Sequence, residues 1–103
     1  MNKYETKLLE MSNPEKGKSL DEYCYSPPDT CDLCSESLTD CAFFIDGAVR
    51  GSLSWANMCP KCFSTRGESI RWGKGQLYMK LPDGAWVLSA GFAPVNIEED
   101  EDW

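Results

Sequence analysis

Cys31-Asp32-Leu33-Cys34 and Cys59-Pro60-Lys61-Cys62 decide the reading of this 103-residue chain. Each pair has the spacing of a metal knuckle, and the twenty-four intervening residues can carry the two turns on separate hairpins that meet around one ion. Zn²⁺ favours four tetrahedral ligands, and thiolates satisfy it without histidine. The chain has no histidine, so mixed Cys/His sites are excluded and Cys31, Cys34, Cys59 and Cys62 are the expected ligand set. The predicted cofactor is Zn²⁺. Iron in a four-thiolate site remains the competing element. Four thiolates leave no native position for a water, which makes the expected role structural rather than catalytic.

Cys24 and Cys41 stand outside the pairs. Cys41 precedes an apolar run and reads as a small core residue, with replacement of Cys34 as a ligand the alternative. Cys24 reads as a packing or surface residue. Six cysteines also fit three disulfides in a secreted chain, but Met1-Asn2-Lys3-Tyr4-Glu5 lacks a signal-like apolar segment. No apolar run approaches the roughly 18 residues of a membrane span. The expected setting is therefore cytoplasmic, without a membrane partner.

Around the knuckles, the pattern predicts a small β-rich, zinc-ribbon-like domain over residues 28–92. It is preceded by an N-terminal arm (1–27) and followed by an acidic flexible tail (93–103). Tyr4, Leu8 and Met11 recur at helical spacing in the arm, giving a short helix over 3–11 without a strong capping pattern, either docked or disordered. Asn13-Pro14 and Lys16-Gly17 interrupt it. Phe43-Phe44-Ile45 reads as a strand ended by an Asp46-Gly47 turn before Ala48-Val49-Arg50. Leu53-Ser54-Trp55-Ala56 leads into the second pair, and Ser64-Thr65-Arg66-Gly67 turns away after Phe63. The clearest hairpin joins 76–81 to 85–88 through Pro82-Asp83-Gly84, with Gly84 suited to a positive φ. Asp46 and Asp83, each before a glycine, read as turn residues. With no histidine and no pair of acids placed for proton transfer, the chain is not expected to be an enzyme.

The formal charge of −7 is uneven: residues 63–92 carry +2 and residues 93–103 carry −5. An acidic total favours a protein partner with a basic surface and opposes nucleic acid at long range. Within the basic stretch, Arg71, Trp72, Lys74 and Tyr78 combine charge with aromatic rings beside Gly73 and Gly75, which suits partner binding. Nucleic acid is the alternative partner, with Arg71 and Lys74 on phosphate and Trp72 stacked on a base. Trp55 and Trp86 are expected in the core; Trp72 and Trp103 are expected as exposed anchors. Glu98-Glu99-Asp100-Glu101-Asp102 is a candidate to touch the positive 63–92 region, within one molecule or across a dimer.

Four segments together resemble small zinc-ribbon proteins of bacteriophages and prophages: Cys31–Cys34, Phe44-Ile45-Asp46-Gly47, Trp55-Ala56-Asn57-Met58-Cys59-Pro60-Lys61-Cys62, and Gly73-Lys74-Gly75-Gln76-Leu77-Tyr78. The resemblance covers roughly residues 31–91. It implies a zinc-stabilised fold and a host-directed role, such as an inhibitor or modulator of a host protein complex. It transfers no specific activity.

Overall fold

The computed structural model describes residues 2–94. The expected acidic tail therefore lies, from residue 95 onward, outside the described residues. In chain order the elements are α1 (Lys3–Met11), α2 (Pro14–Ser19), β1 (Tyr23–Cys24), β2 (Phe43–Ala48), β3 (Trp55–Met58), α3 (Pro60–Arg66), β4 (Gly75–Lys80) and β5 (Trp86–Ala90). The strands form one antiparallel sheet in the order β1-β5-β4-β2-β3. The result is a small mixed α/β domain rather than a purely β ribbon.

Strand alternation divides the core between the two sheet faces. Phe43, Ile45 and Leu77 join Leu8 of α1, with Phe63 and Cys62 of α3 packed beside them. On the opposite face Phe44 meets Leu38, Cys31, Cys59 and Trp86. Its ring stacks on Tyr78 and meets Trp86 edge-on, both at 4.9 Å between centroids. β2 is thus buried on both sides, which explains its continuous apolar run.

The N-terminal residues are integral to this packing. Asn2 accepts from the Glu5 amide at 2.9 Å and the Glu5 carboxylate accepts from the Asn2 amide at 3.4 Å, a capping box that supplies the missing start signal. The same buried carboxylate accepts from the Ala42 amide at 2.7 Å, tying α1 to the entry of β2. The expected break at Asn13-Pro14 is instead a helix start: Asn13 accepts from the Lys16 amide at 3.3 Å and Pro14 takes the first turn. Gly17 then lies so close to β5 that a Cβ would overlap the Leu88 carbonyl oxygen. α2 thereby covers the part of the β5 edge that two-residue β1 leaves unpaired.

Two turn expectations separate here. The β4–β5 hairpin forms as read, with Gly84 at φ +92° and the Asp83 carboxylate accepting from the Ala85 amide at 3.0 Å. Asp46-Gly47, by contrast, is no turn; both residues lie within β2. Gly47 is needed because a Cβ there would sit 2.9 Å from both Gly75 Cα and the Lys74 carbonyl oxygen. The chain reverses later, at Arg50–Leu53, where Gly51 has φ +71°. The predicted turn after Phe63 is likewise replaced, since residues 60–66 are helical. Trp86 is buried as expected, but Trp55 is 53% exposed on edge strand β3, its indole donating to Asp46.

Candidate metal centre

The first pair is held in a small hairpin. The Cys31 amide donates to the Glu36 carbonyl at 2.9 Å and the Ser35 amide to the Cys31 carbonyl at 2.9 Å, with Thr30 bridged to Ser37. Ser35 takes φ +68° to close that turn, a left-handed conformation that disfavours any side chain. Asp32 docks the hairpin on the sheet edge. Its amide donates to the Asn57 carbonyl at 2.8 Å and its carboxylate accepts from the Asn57 amide at 2.8 Å. Leu38, wholly buried, packs beneath.

The second pair does not sit on a hairpin turn, as a ribbon would place it. Cys59 is the N-cap of α3, its sulfur accepting from the Cys62 amide at 3.5 Å, and Pro60 opens the first turn. Cys62 therefore points back beside Cys59 from within the helix. The sequence signal for that helix is the proline at its first position. The order is knuckle, hairpin β2–β3, then helix.

All four Sγ atoms lie within 4.8 Å of one another, and Cys34 and Cys59 sulfurs are 3.8 Å apart. A tetrahedron with Zn–S near 2.3 Å has an edge of about 3.8 Å, so donor type, number and spacing fit one ion. Backbone amides support the sulfurs. Cys31 accepts from the amides of Cys59 at 3.3 Å and Leu33 at 3.4 Å. Burial alone pushes the Cys31 thiol up, but the Cys59, Leu33 and Cys34 amides and the neighbouring Cys34 side chain outweigh it and bring the thiol to about 7. Burial raises Cys59 and Cys62, and neighbouring sulfurs reinforce that for Cys62. Metal-free, the cluster thus holds protons that a cation must displace.

Cys41 is outside this four-sulfur cluster; burial pushes its thiol up to about 11, in keeping with a packing role. Cys24 is also half-buried against the aromatic face. Four thiolates would leave a bound ion no open coordination position, and the arrangement suits a crosslink between loop, sheet and helix.

The other singled-out residues lie elsewhere. Arg71, Trp72 and Lys74 sit in the loop before β4, with Trp72 52% exposed. Tyr78 is half-buried on Phe44, on the aromatic face. Trp103 lies outside the described residues. The folded chain adds neighbours that linear reading missed. The Arg50 amide donates to the Arg66 carbonyl at 2.7 Å, Glu68 to Ala48 at 3.0 Å, and Ala48 to Lys74 at 2.8 Å. These bonds bring loops 49–55 and 66–74 together, so exposed Leu53, Trp55 and Trp72 share one end of the sheet with Arg50, Arg66, Arg71 and Lys74. Only cross-strand pairing reveals that grouping. Among the described residues no helix is long and apolar enough to cross a membrane. Compared with known proteins, the chain matches no family model, no curated protein and no solved structure.

Proposed function

We propose that this chain is a non-enzymatic, zinc-stabilised interaction module whose partner surface is the loop end formed by residues 49–55 and 66–74. The observation that carries the reading is the exposure of Leu53, Trp55 and Trp72 among four cationic side chains, on loops pinned to each other by backbone hydrogen bonds. Large aromatics within a charged rim concentrate interface energy, and a tied backbone lowers the ordering cost of binding. The bulk acidity attracts a partner with a basic surface at long range, while the contact on the loop end itself takes acidic and apolar groups. A host protein complex, inhibited or modulated, is the form of partner that the phage-protein resemblance suggests.

Zinc is the proposed ion because thiolate donors at tetrahedral spacing are its preferred set. Native mass spectrometry is expected to show one zinc per chain; a folded protein that carries no metal, or carries iron, would remove zinc from the proposal. Partner capture from the native host tests the surface. A stable protein should be recovered with the wild-type chain and lost with a combined Arg71→Ala, Trp72→Ala, Lys74→Ala variant. Nucleic acid is the second reading, favoured by the same indole and cations. Salt-sensitive capture of RNA or DNA, abolished by that variant, would put it first.

A further inference from the structure

The segment that leaves β1 crosses from one edge of the sheet to the other. Cys24 pairs with Trp86 of β5, while Asp32, eight residues on, is bonded to Asn57 of edge strand β3. Four strand gaps, about 19 Å, separate those edges, within reach of eight extended residues. Pro27 and Pro28 have no amide to offer a neighbouring strand, and the segment does not join the sheet. A cavity of about 250 Å³ lies between Ser26 and Pro28 of this segment and Phe44, Asp46, Asn57 and Tyr78 of the sheet.

The chemistry of that lining favours one kind of group. Asp46 is its one charged residue, placed by register between Asn57 of β3 and Gln76 of β4. One Asp46 oxygen accepts from the Trp55 indole, and among the described residues Asp46 has no ion-pair partner. Asn57 is held through its backbone by Asp32, which leaves its side-chain amide to the cavity. Lys80, on the same side of β4 as Tyr78, is turned away to the Thr39 carbonyl and lies 5.6 Å from the Trp86 ring. The local field is negative: burial pushes the Tyr78 phenol up, and Cys24, Asp46 and Glu22 push it further. Several acceptors around one carboxylate, beside an aromatic ring, suit a flat cation with a fork of N–H donors. Guanidinium is also more weakly hydrated than ammonium, which lowers the cost of entering a partly enclosed site. The space takes the end of a side chain, since whole small-molecule ligands need about 300 Å³ or more. Tyr25, between Cys24 and Ser26 of the cavity wall, is 84% exposed, and Trp55, on Asp46, is 53% exposed. Only an occupant larger than the group in the cavity would cover those two rings, which selects an arginine carried on a protein.

We propose that the cavity between residues 26–28 and the sheet is an arginine socket, which takes the guanidinium of an arginine on a partner protein with Asp46 as counter-ion and Asn57 and Tyr78 as further acceptors. The socket adds a basic contact to the acidic and apolar one at the loop end, and Trp55 is shared between them. Its preference for guanidinium stands by itself; that a protein supplies the group rests on the interaction reading above.

The test titrates the metal-loaded full chain with a blocked Gly-Ser-Arg-Ser-Gly peptide and follows the Trp55 indole N–H by NMR, since that group is bonded to Asp46. Saturable shifts are expected there and at the backbone amides around the cavity. Citrulline in place of the arginine keeps the shape and loses the charge, and should weaken binding about tenfold or more. Asp46→Asn, which keeps an acceptor for the indole, should do the same. Tyr78→Phe keeps the ring on Phe44 and should cost about threefold. Trp72→Ala should leave peptide affinity unchanged. Equal binding of the arginine and citrulline peptides would overturn the proposal, as would arginine binding that survives both Asp46→Asn and Tyr78→Phe. Free L-arginine binding more tightly than the peptide would make the socket a small-molecule site and overturn the assignment to a protein. Partner capture from the native host, which Asp46→Asn should also weaken, separates the two readings. If the peptide does not bind while capture still depends on Trp72, the socket falls and the interaction reading stands. Arginine-specific binding with no host protein captured would sustain the socket's chemistry and remove the protein source together with that reading.

Discussion

The two ends of the β2–β3 hairpin contrast in nearly every respect. At the metal end, Cys31, Cys59 and Leu38 are buried, backbone amides point at sulfur, and the cysteines exhaust the ligand set. At the loop end, Leu53, Trp55 and Trp72 are exposed, on the same loops that carry Arg50, Arg66, Arg71 and Lys74. One end spends its special residues on staying folded; the other leaves costly apolar surface uncovered. That difference teaches what a sequence shows most readily: cysteines with a local spacing converge on one cluster, whereas the exposed residues at the other end are grouped only by strand pairing.

The largest effect expected from breaking this contrast is at the metal end. Cys31→Ser, or a strong chelator, should abolish cooperative thermal unfolding, because structural zinc sites contribute on the order of 10 kcal/mol or more in small domains. Differential scanning calorimetry reads this directly, and an unchanged transition would show that packing alone suffices. Phe44→Ala, which empties the wholly buried centre of the aromatic face, should cost about 3–5 kcal/mol in denaturant unfolding.

A smaller, graded effect comes from pH. Cys31 titrates near 7 and Cys59 and Cys62 are raised, so the free site holds protons at neutral pH that metal binding releases. Proton release makes affinity rise with pH. Lowering pH from 7 should weaken zinc binding at least about tenfold per unit, measured by competition with a chromophoric chelator. Ser35→Gly should sharpen the fastening instead, adding roughly 1 kcal/mol by relieving the left-handed conformation. Smallest of all, Trp72→Ala should leave unfolding within about 0.5 kcal/mol of wild type, since the side chain is half exposed. A larger loss would assign Trp72 to the fold and take it from the partner surface.

The site was legible because ligand spacing is a local property: two residues between cysteines suffice to write a knuckle. The hairpin at Pro82-Asp83-Gly84 was legible for the same reason, its turn chemistry lying within three residues. Asp46-Gly47 carried an equally strong local signal and still misled, because Gly47 answers to a neighbouring strand twenty-eight residues away at Gly75. Trp55 misled for a related reason. Whether a strand lies at the sheet edge depends on pairing order, and β3 is outermost. The α1 capping box uses Asn2 in place of the serine or threonine of the usual pattern, which makes the helix start harder to read from sequence. The tertiary bond from Glu5 to Ala42, which decides docking over disorder, leaves no mark in the local pattern.

Helix α3 joins the two contrasted ends. Its first turn carries Cys59 and Cys62, and about 10 Å further on its last residues, Arg66 and Gly67, are fastened to Arg50 and Val49. An ion held by the four cysteines would therefore anchor a strut whose far end keeps residues 49–55 and 66–74 in register. Without it, the backbone of those loops would have to be ordered at the moment of contact, at about 1–2 kcal/mol per residue. A metal that never touches the partner would in this way set the entropic cost of meeting it.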